Sequence, residues 1–88
     1  MYWTVHIHDA AARQLEAMPP DRRRRVFDDI AGFEGNPFRG LVKPLKGKEN
    51  KGRYRKVSGR CRIIFRPVHA TGTVDVLPIL LHNEKTYR

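Results

Sequence analysis

Eighty-eight residues carrying 18 Lys plus Arg against 9 Asp plus Glu give a formal charge of +9. This length leaves no room for a second domain, a barrel or a doubly wound sheet, and one small core must stabilise the whole chain. An apolar fraction of 40% argues against wholesale disorder, while the excess charge calls for a polyanionic partner: nucleic acid, an anionic membrane or an acidic protein.

Tyr2 to Ile7 reads as a strand, with Trp3, Val5 and Ile7 on one face and Thr4 and His6 on the other. Asp9 suits a helix N-cap ahead of Ala10-Ala11-Ala12, and Ala11, Leu15 and Met18 recur at helical spacing. Pro19-Pro20 ends this short helix, because proline disfavours the helical conformation in the residue before it. Pro20 or Asp21 opens a second helix whose apolar stripe is Val26, Phe27, Ile30 and Phe33, stopped by Gly35-Asn36-Pro37.

Phe38 to Gly52 is expected as a basic loop anchored by Leu41 and Leu45. Arg53 to Val57 and Cys61 to Pro67 follow as strands joined at Ser58-Gly59. In the second of these strands Cys61, Ile63 and Phe65 share one face, and Arg62, Ile64 and Arg66 the other. Val74 to Leu81 is the last strand, apolar enough on both faces for a central position. Pro78 lacks a ladder donor and is therefore expected at a bulge or strand end. The order β-α-α-β-β-β predicts one α+β domain over residues 1–88: a helical hairpin packed on one face of a small, mostly antiparallel sheet.

The charge is concentrated. Between Arg39 and Arg66 lie eleven basic residues and one acid, Glu49, a net +10, and the rest of the chain is −1. Arg22-Arg23-Arg24-Arg25 adds less than it suggests, because four successive helical residues point all around the axis. These side chains read as solvated, paired with Asp28 and Asp29, or laid along the core edge. The two basic strands say more. Arg53 and Arg55 share one face of the first, and Arg62 and Arg66 share one face of the second. Aligned faces would bring four guanidinium groups together, either as a solvated basic face or as a concavity that grips phosphate.

A single cysteine, Cys61, excludes an internal disulfide and a cysteine-cluster zinc site, and reads as a small buried residue. His6, His8, His69 and His82 show no zinc spacing, and carboxylates are too sparse in the basic segment for a two-metal nuclease. No metal and no cofactor are expected. The sequence shows neither a membrane span nor a secretory signal, so a cytoplasmic protein with no membrane partner is the expectation. His82 and Tyr87 are groups competent for proton transfer near the end of the chain.

These residues resemble the RelE/ParE toxin superfamily over essentially the whole chain. The carriers are Asn36-Pro37 after the second helix, Pro44-Leu45-Lys46-Gly47 before a basic strand, Tyr54-Arg55 through Gly59-Arg60-Cys61-Arg62-Ile63-Ile64-Phe65, and His82 with Tyr87-Arg88. The resemblance implies a type II toxin restrained by a cognate antitoxin with an acidic segment, in a hetero-oligomer. For RelE-like members it implies a ribosome-dependent mRNA endoribonuclease that inhibits translation without a metal, the ribose 2′-OH attacking the adjacent phosphate. ParE-like members share the fold and inhibit DNA gyrase.

Carried over by position, Arg62 matches the strand arginine at the scissile phosphate, and Arg53 and Arg55 match basic residues of the preceding strand. His82 matches the basic position after the last strand, and Tyr87 the terminal tyrosine that acts as base or orients the nucleophile. Lys43, Lys46, Lys48, Lys51, Lys56, Arg60 and Arg66 are the expected RNA-contacting cations. Two positions depart from the pattern: Asn83 stands where many members carry a second arginine, and Cys61 replaces a common aromatic.

Overall fold

The alternation of Trp3, Val5 and Ile7 with Thr4 and His6 produces strand β1 (Thr4–Ile7), whose exposure alternates in step. In the computed structural model, which describes residues 2–78 and 80–81, β1 is followed by α1 (Asp9–Glu16) and α2 (Pro20–Ala31). The helix cap expected at Asp9 falls one residue earlier. His8 is extended (φ −58°, ψ 146°) and its carbonyl accepts the first helical bond, from Ala12 N at 2.8 Å. The His8 N–H is meanwhile bound to Val76 O at 2.9 Å, so the strand's last ladder bond holds His8 out of the helix. Asp9 instead brings its charge to the helix's positive end.

Proline opens α2, and a 3₁₀ turn (Gly32–Glu34) closes it and seats Phe33 in the core. Val26 and Ile30 are buried as the spacing predicts, but Phe27 is 48% exposed. A step of about 100° past Val26 carries Phe27 off the stripe that Val26, Ile30 and Phe33 define.

Five strands follow the helices: β2 (Val42–Pro44), β3 (Tyr54–Ser58), β4 (Cys61–Val68), β5 (Thr73–Val76) and β6 (Leu80–Leu81). The sheet order is β1-β5-β4-β3-β2, with β6 also on β4. Only β1 and β5 run parallel, so the predicted α+β architecture with a mostly antiparallel sheet holds. Two details differ from the expected element list.

The first is β2, which arises inside the segment expected as loop. Its three residues pair with β3 as Val42↔Lys56, Lys43↔Arg55 and Pro44↔Tyr54. Nothing in so short a run, bounded by Gly40 and containing Pro44, favours a strand locally, and the pairing is tertiary. Leu45 N donates to Arg53 O at 3.0 Å and Val57 N to Leu41 O at 3.1 Å, which leaves Val42 and Pro44 as the outward positions of this edge. Pro44 has no N–H, and Val42 N is bound to Gly40 O at 3.0 Å, so the edge offers no donor to an added strand.

The second is the last strand, which is split. Leu77 N still donates to Ile64 O at 2.8 Å, continuing the register Phe65↔Val76. Two residues further along β4, Arg62 faces Leu80 instead of the residue that register would give. One extra residue has entered the strand around Pro78, which is a bulge of the kind proline permits. β5 holds the central position expected, between β1 and β4.

The core lies between the helical hairpin and one sheet face. Ala11, Leu15, Val26, Ile30 and Phe33 come from the helical layer, and Cys61, Ile63, Phe65, Val74 and Val76 from the sheet. Phe33 and Phe65 meet with ring centroids 4.5 Å apart. No helix among the described residues is long and apolar enough to cross a membrane.

Two glycines shape the basic segment. Gly59, at φ 61°, is the first of two residues between Ser58 and Cys61, as a II′ hairpin turn requires. Gly47 sits at φ 101°, ψ 148°, a region open essentially to glycine alone, and an added Cβ would approach Glu49 Oε1 to 2.7 Å. We expect Gly47→Ala to lower unfolding free energy by roughly 1–3 kcal/mol in urea titration, because the backbone must leave this conformation.

Candidate nucleic-acid interface

The β3–β4 register decides which cations meet. Arg55 stands opposite Ile64 and Val57 opposite Arg62, so Arg53, Arg55, Arg62 and Arg66 all lie on the sheet face away from the helices. Arg55 is the hub. Lys43 faces it from β2, Arg53 is two residues along its own strand, and Arg62 and Arg66 flank its partner Ile64. These spacings place the neighbouring arginine backbones about 7–8 Å from that of Arg55, within reach of long side chains. Arg53, Arg55 and Arg62 are half-buried, which limits how far water can screen them.

Packing like charges costs stability. Arg55→Gln is therefore expected to raise thermal stability by up to about 1 kcal/mol at low salt. The gain should vanish near 1 M salt, where the screening length falls to about 3 Å. Paired melting curves at the two salt concentrations check this.

The other expected RNA contacts divide. Lys46, Lys48 and Lys51 are exposed on the loop between β2 and β3, which is closed by the Leu45–Arg53 backbone bond and braced by Asn50 Nδ2 donating to Lys46 O at 2.8 Å. Lys56 has the opposite parity to Arg55 and lies on the helix side of the sheet, where its Nζ donates to Arg39 O at 2.6 Å. Arg60 occupies the β3–β4 turn and lines a cleft with Arg22 and Arg25 of α2. The structure thus separates Lys56 and Arg60 from the arginine face. His82 and Tyr87 lie outside the described residues.

Sequence reasoning missed two features of this face. Asp75 stands directly opposite Arg66 and is paired in turn with β1, where His6 Nδ1 is 3.8 Å from its Oδ1. A carboxylate therefore borders the cluster at Arg66. The β4–β5 register reveals it, bringing together two residues nine positions apart in the chain. The second is an apolar groove of about 390 Å³ beside Arg53, walled by Leu45, Ile64, Leu77 and Pro78 and lined also by Asn50.

Among the described residues no aromatic stacking platform occupies the arginine face; Tyr54 has the opposite parity to Arg53 and Arg55. Tyr54 stacks on Phe65 at 5.9 Å and meets Phe38 edge-on at 5.3 Å on the helix side. His69 joins the same assembly between Phe38 and Trp3.

Cys61 is fully buried, and burial pushes its thiol up, only partly opposed by the charge of Arg22. The folded thiol is thus a weaker acid than the unfolded one. The associated stability is complete below the free-thiol value of about 8.5 and is lost as pH rises through and beyond it. Native protein should accordingly resist alkylation at pH 8, with labelling appearing only as urea unfolds it.

No protein-family model and no curated protein matches the sequence. Solved structures do match. The toxin–antitoxin complex RelBE2 of Mycobacterium tuberculosis aligns over 94% of this chain and 100% of its own, at TM-score 0.81 and 26% identity. The archaeal RelE–RelB complex of Pyrococcus horikoshii covers 96% and 99%, at 0.82 and 22%. This is the RelE/ParE toxin fold. The YoeB/ParE toxin of Agrobacterium tumefaciens shares it, at TM-score 0.74 and 19% identity over 91% of this chain and 99% of its own. Within the RelE/ParE fold of this chain, β3, β4 and the β2–β3 loop carry the basic face.

Proposed function

We propose that this chain is the toxin of a toxin–antitoxin pair and that it cleaves mRNA on the ribosome. The observation that carries the reading is the Arg55-centred cluster, in which Arg53 and Arg62 stand half-buried on one sheet face. Phosphodiester cleavage by an adjacent 2′-OH builds negative charge on the phosphoryl oxygens. The 2′-hydroxyl gives its proton to a base as its oxygen bonds to phosphorus, the bond to the 5′-oxygen breaks, and that oxygen takes a proton from an acid. Preorganised guanidinium groups stabilise such a transition state by charge and bidentate hydrogen bonds.

Arg62 is assigned to the scissile phosphate, Arg53 and Arg55 to its flanks, and Tyr87 and His82 to proton transfer. A tyrosine near pKa ~10 is a poor base at neutral pH, and cations held beside the phenol would lower that barrier by favouring its anion. The ribosome would align the RNA on this face, an entropic contribution to the rate. The same charge suits an antitoxin with an acidic segment. RelBE2 of Mycobacterium tuberculosis, which has the same fold, is a toxin–antitoxin complex.

The test is cell-free translation with primer-extension mapping of the message. Cuts in codon register are expected. Arrest of growth without such cuts overturns the nuclease reading and favours gyrase inhibition, which the shared fold with a YoeB/ParE toxin keeps in play. A DNA supercoiling assay decides between the two.

A further inference from the structure

The basic face is not uniformly polar. Beside Arg53 the sheet surface opens into the groove of about 390 Å³ whose walls are the side chains of Leu45, Ile64, Leu77 and Pro78. Its construction follows from features already described. The Leu45–Arg53 backbone bond holds Leu45 against the start of β3, the Leu77–Ile64 bond draws the end of β5 alongside β4, and the bulge at Pro78 turns the chain there. Asn50 also lines the groove, and with its amide nitrogen donating to Lys46 O its side-chain oxygen keeps its acceptor capacity. A solvated patch meant only to attract polyanions would be cationic throughout. Here an apolar slot adjoins a cluster of half-buried arginines.

We infer that this groove is a nucleobase subsite. A single-stranded ribonucleotide would place its base between Leu45 and the Leu77–Pro78 wall while Arg53 and Arg55 hold the phosphate on that nucleotide. The ligand class follows from the pairing of surfaces. A base is flat, apolar on its faces and polar on its edge, and it is covalently attached to an anion. The groove offers apolar walls, the Asn50 amide and Arg53, the last on the same strand face as Arg55. Small-molecule sites have this composition, mostly apolar with a few placed polar groups. Asn50 Oδ1 would accept from an amino or imino N–H on the base edge, giving preference among bases without any aromatic platform.

This rests on the reading of the arginine face as a phosphate site, and the experiment separates the two. Full-length protein is titrated with a fluorescent 2′-O-methyl hexaribonucleotide, which resists cleavage, and with an abasic oligomer of the same phosphate count. Anisotropy at one fixed salt concentration reports both affinities. The intact oligomer should bind at least about fivefold more tightly. In Leu45→Gln and independently in Leu77→Gln, each of which makes one wall of the slot polar, the ratio of the two affinities should fall to about one. Equal affinities for intact and abasic oligomers in the parent protein overturn the subsite, as does a ratio that persists in both folded variants. Failure to cut messages on the ribosome, with the affinity ratio intact, removes the nuclease reading and leaves the base slot standing.

Discussion

Arg62→Ala is expected to abolish growth arrest and to reduce message cleavage by about 10²–10³-fold, the usual loss when one preorganised donor to a developing oxyanion is removed. The expectation has three parts. Arg62 shares the outer sheet face with Arg55, so its guanidinium belongs to the cluster that would bind the phosphate. It is half-buried, in surroundings where charge is screened less than in water. Its neighbours along β4, Cys61 and Ile63, are core residues, so the backbone beneath it is held rigidly.

Arg62→Lys refines the result. It keeps the charge but loses the planar fork, and activity well below that of the parent would show that bidentate geometry matters as well as charge. Both variants must unfold near the parent's urea midpoint for the loss to be assigned to chemistry. A variant Arg62→Ala that still arrests growth would refute the role given to Arg62.

The role proposed for Arg62 comes from the resemblance, but the face it shares with the other arginines was legible because a strand's period of two is a strong rule. It separated Arg53, Arg55, Arg62 and Arg66 from Ile63 and Phe65 before any pairing was known, and the register places all four arginines together. The same rule assigns Tyr54 to the helix side, and it would have assigned Lys56 there as well. Counting Lys56 among the RNA contacts followed total charge where parity was the better guide.

The features that stayed hidden depend on which strand lies beside which. Asp75 meets Arg66 because β4 and β5 pair as consecutive antiparallel strands, in a register that neither strand's own pattern gives. The strand at Val42–Pro44 exists only because β3 offers it a partner. The apolar groove needs the induced strand and the bulge: Leu45 follows the one, and Leu77 leads through Pro78 into the other, where pairing slips by one residue. Pro78 signalled an interruption from composition alone, but not that the interruption would line a groove with Leu45, thirty-three residues earlier in the chain.

Phe65→Ala should have the largest effect on stability of any single truncation. Phe65 is fully buried at the middle of β4. Its ring meets Phe33 at a centroid distance of 4.5 Å and Tyr54 at 5.9 Å, so it joins the helical layer to the aromatic assembly that continues through Phe38 and His69. Truncating a buried phenylalanine costs about 3–5 kcal/mol, the sum of lost apolar transfer and the cavity left behind. Domains of this kind are stable by only about 5–15 kcal/mol, and one of this length has few other core residues to compensate.

Urea unfolding should show the midpoint shifted sharply downward with a nearly unchanged slope. Loss of toxicity would accompany it, but with a different signature from that of Arg62→Ala. A partner that binds only the folded state stabilises it by mass action, so co-expression with the cognate antitoxin should recover soluble Phe65→Ala protein. Protein released from that complex should then lose structure on warming, whereas Arg62→Ala released in the same way should stay folded and inactive.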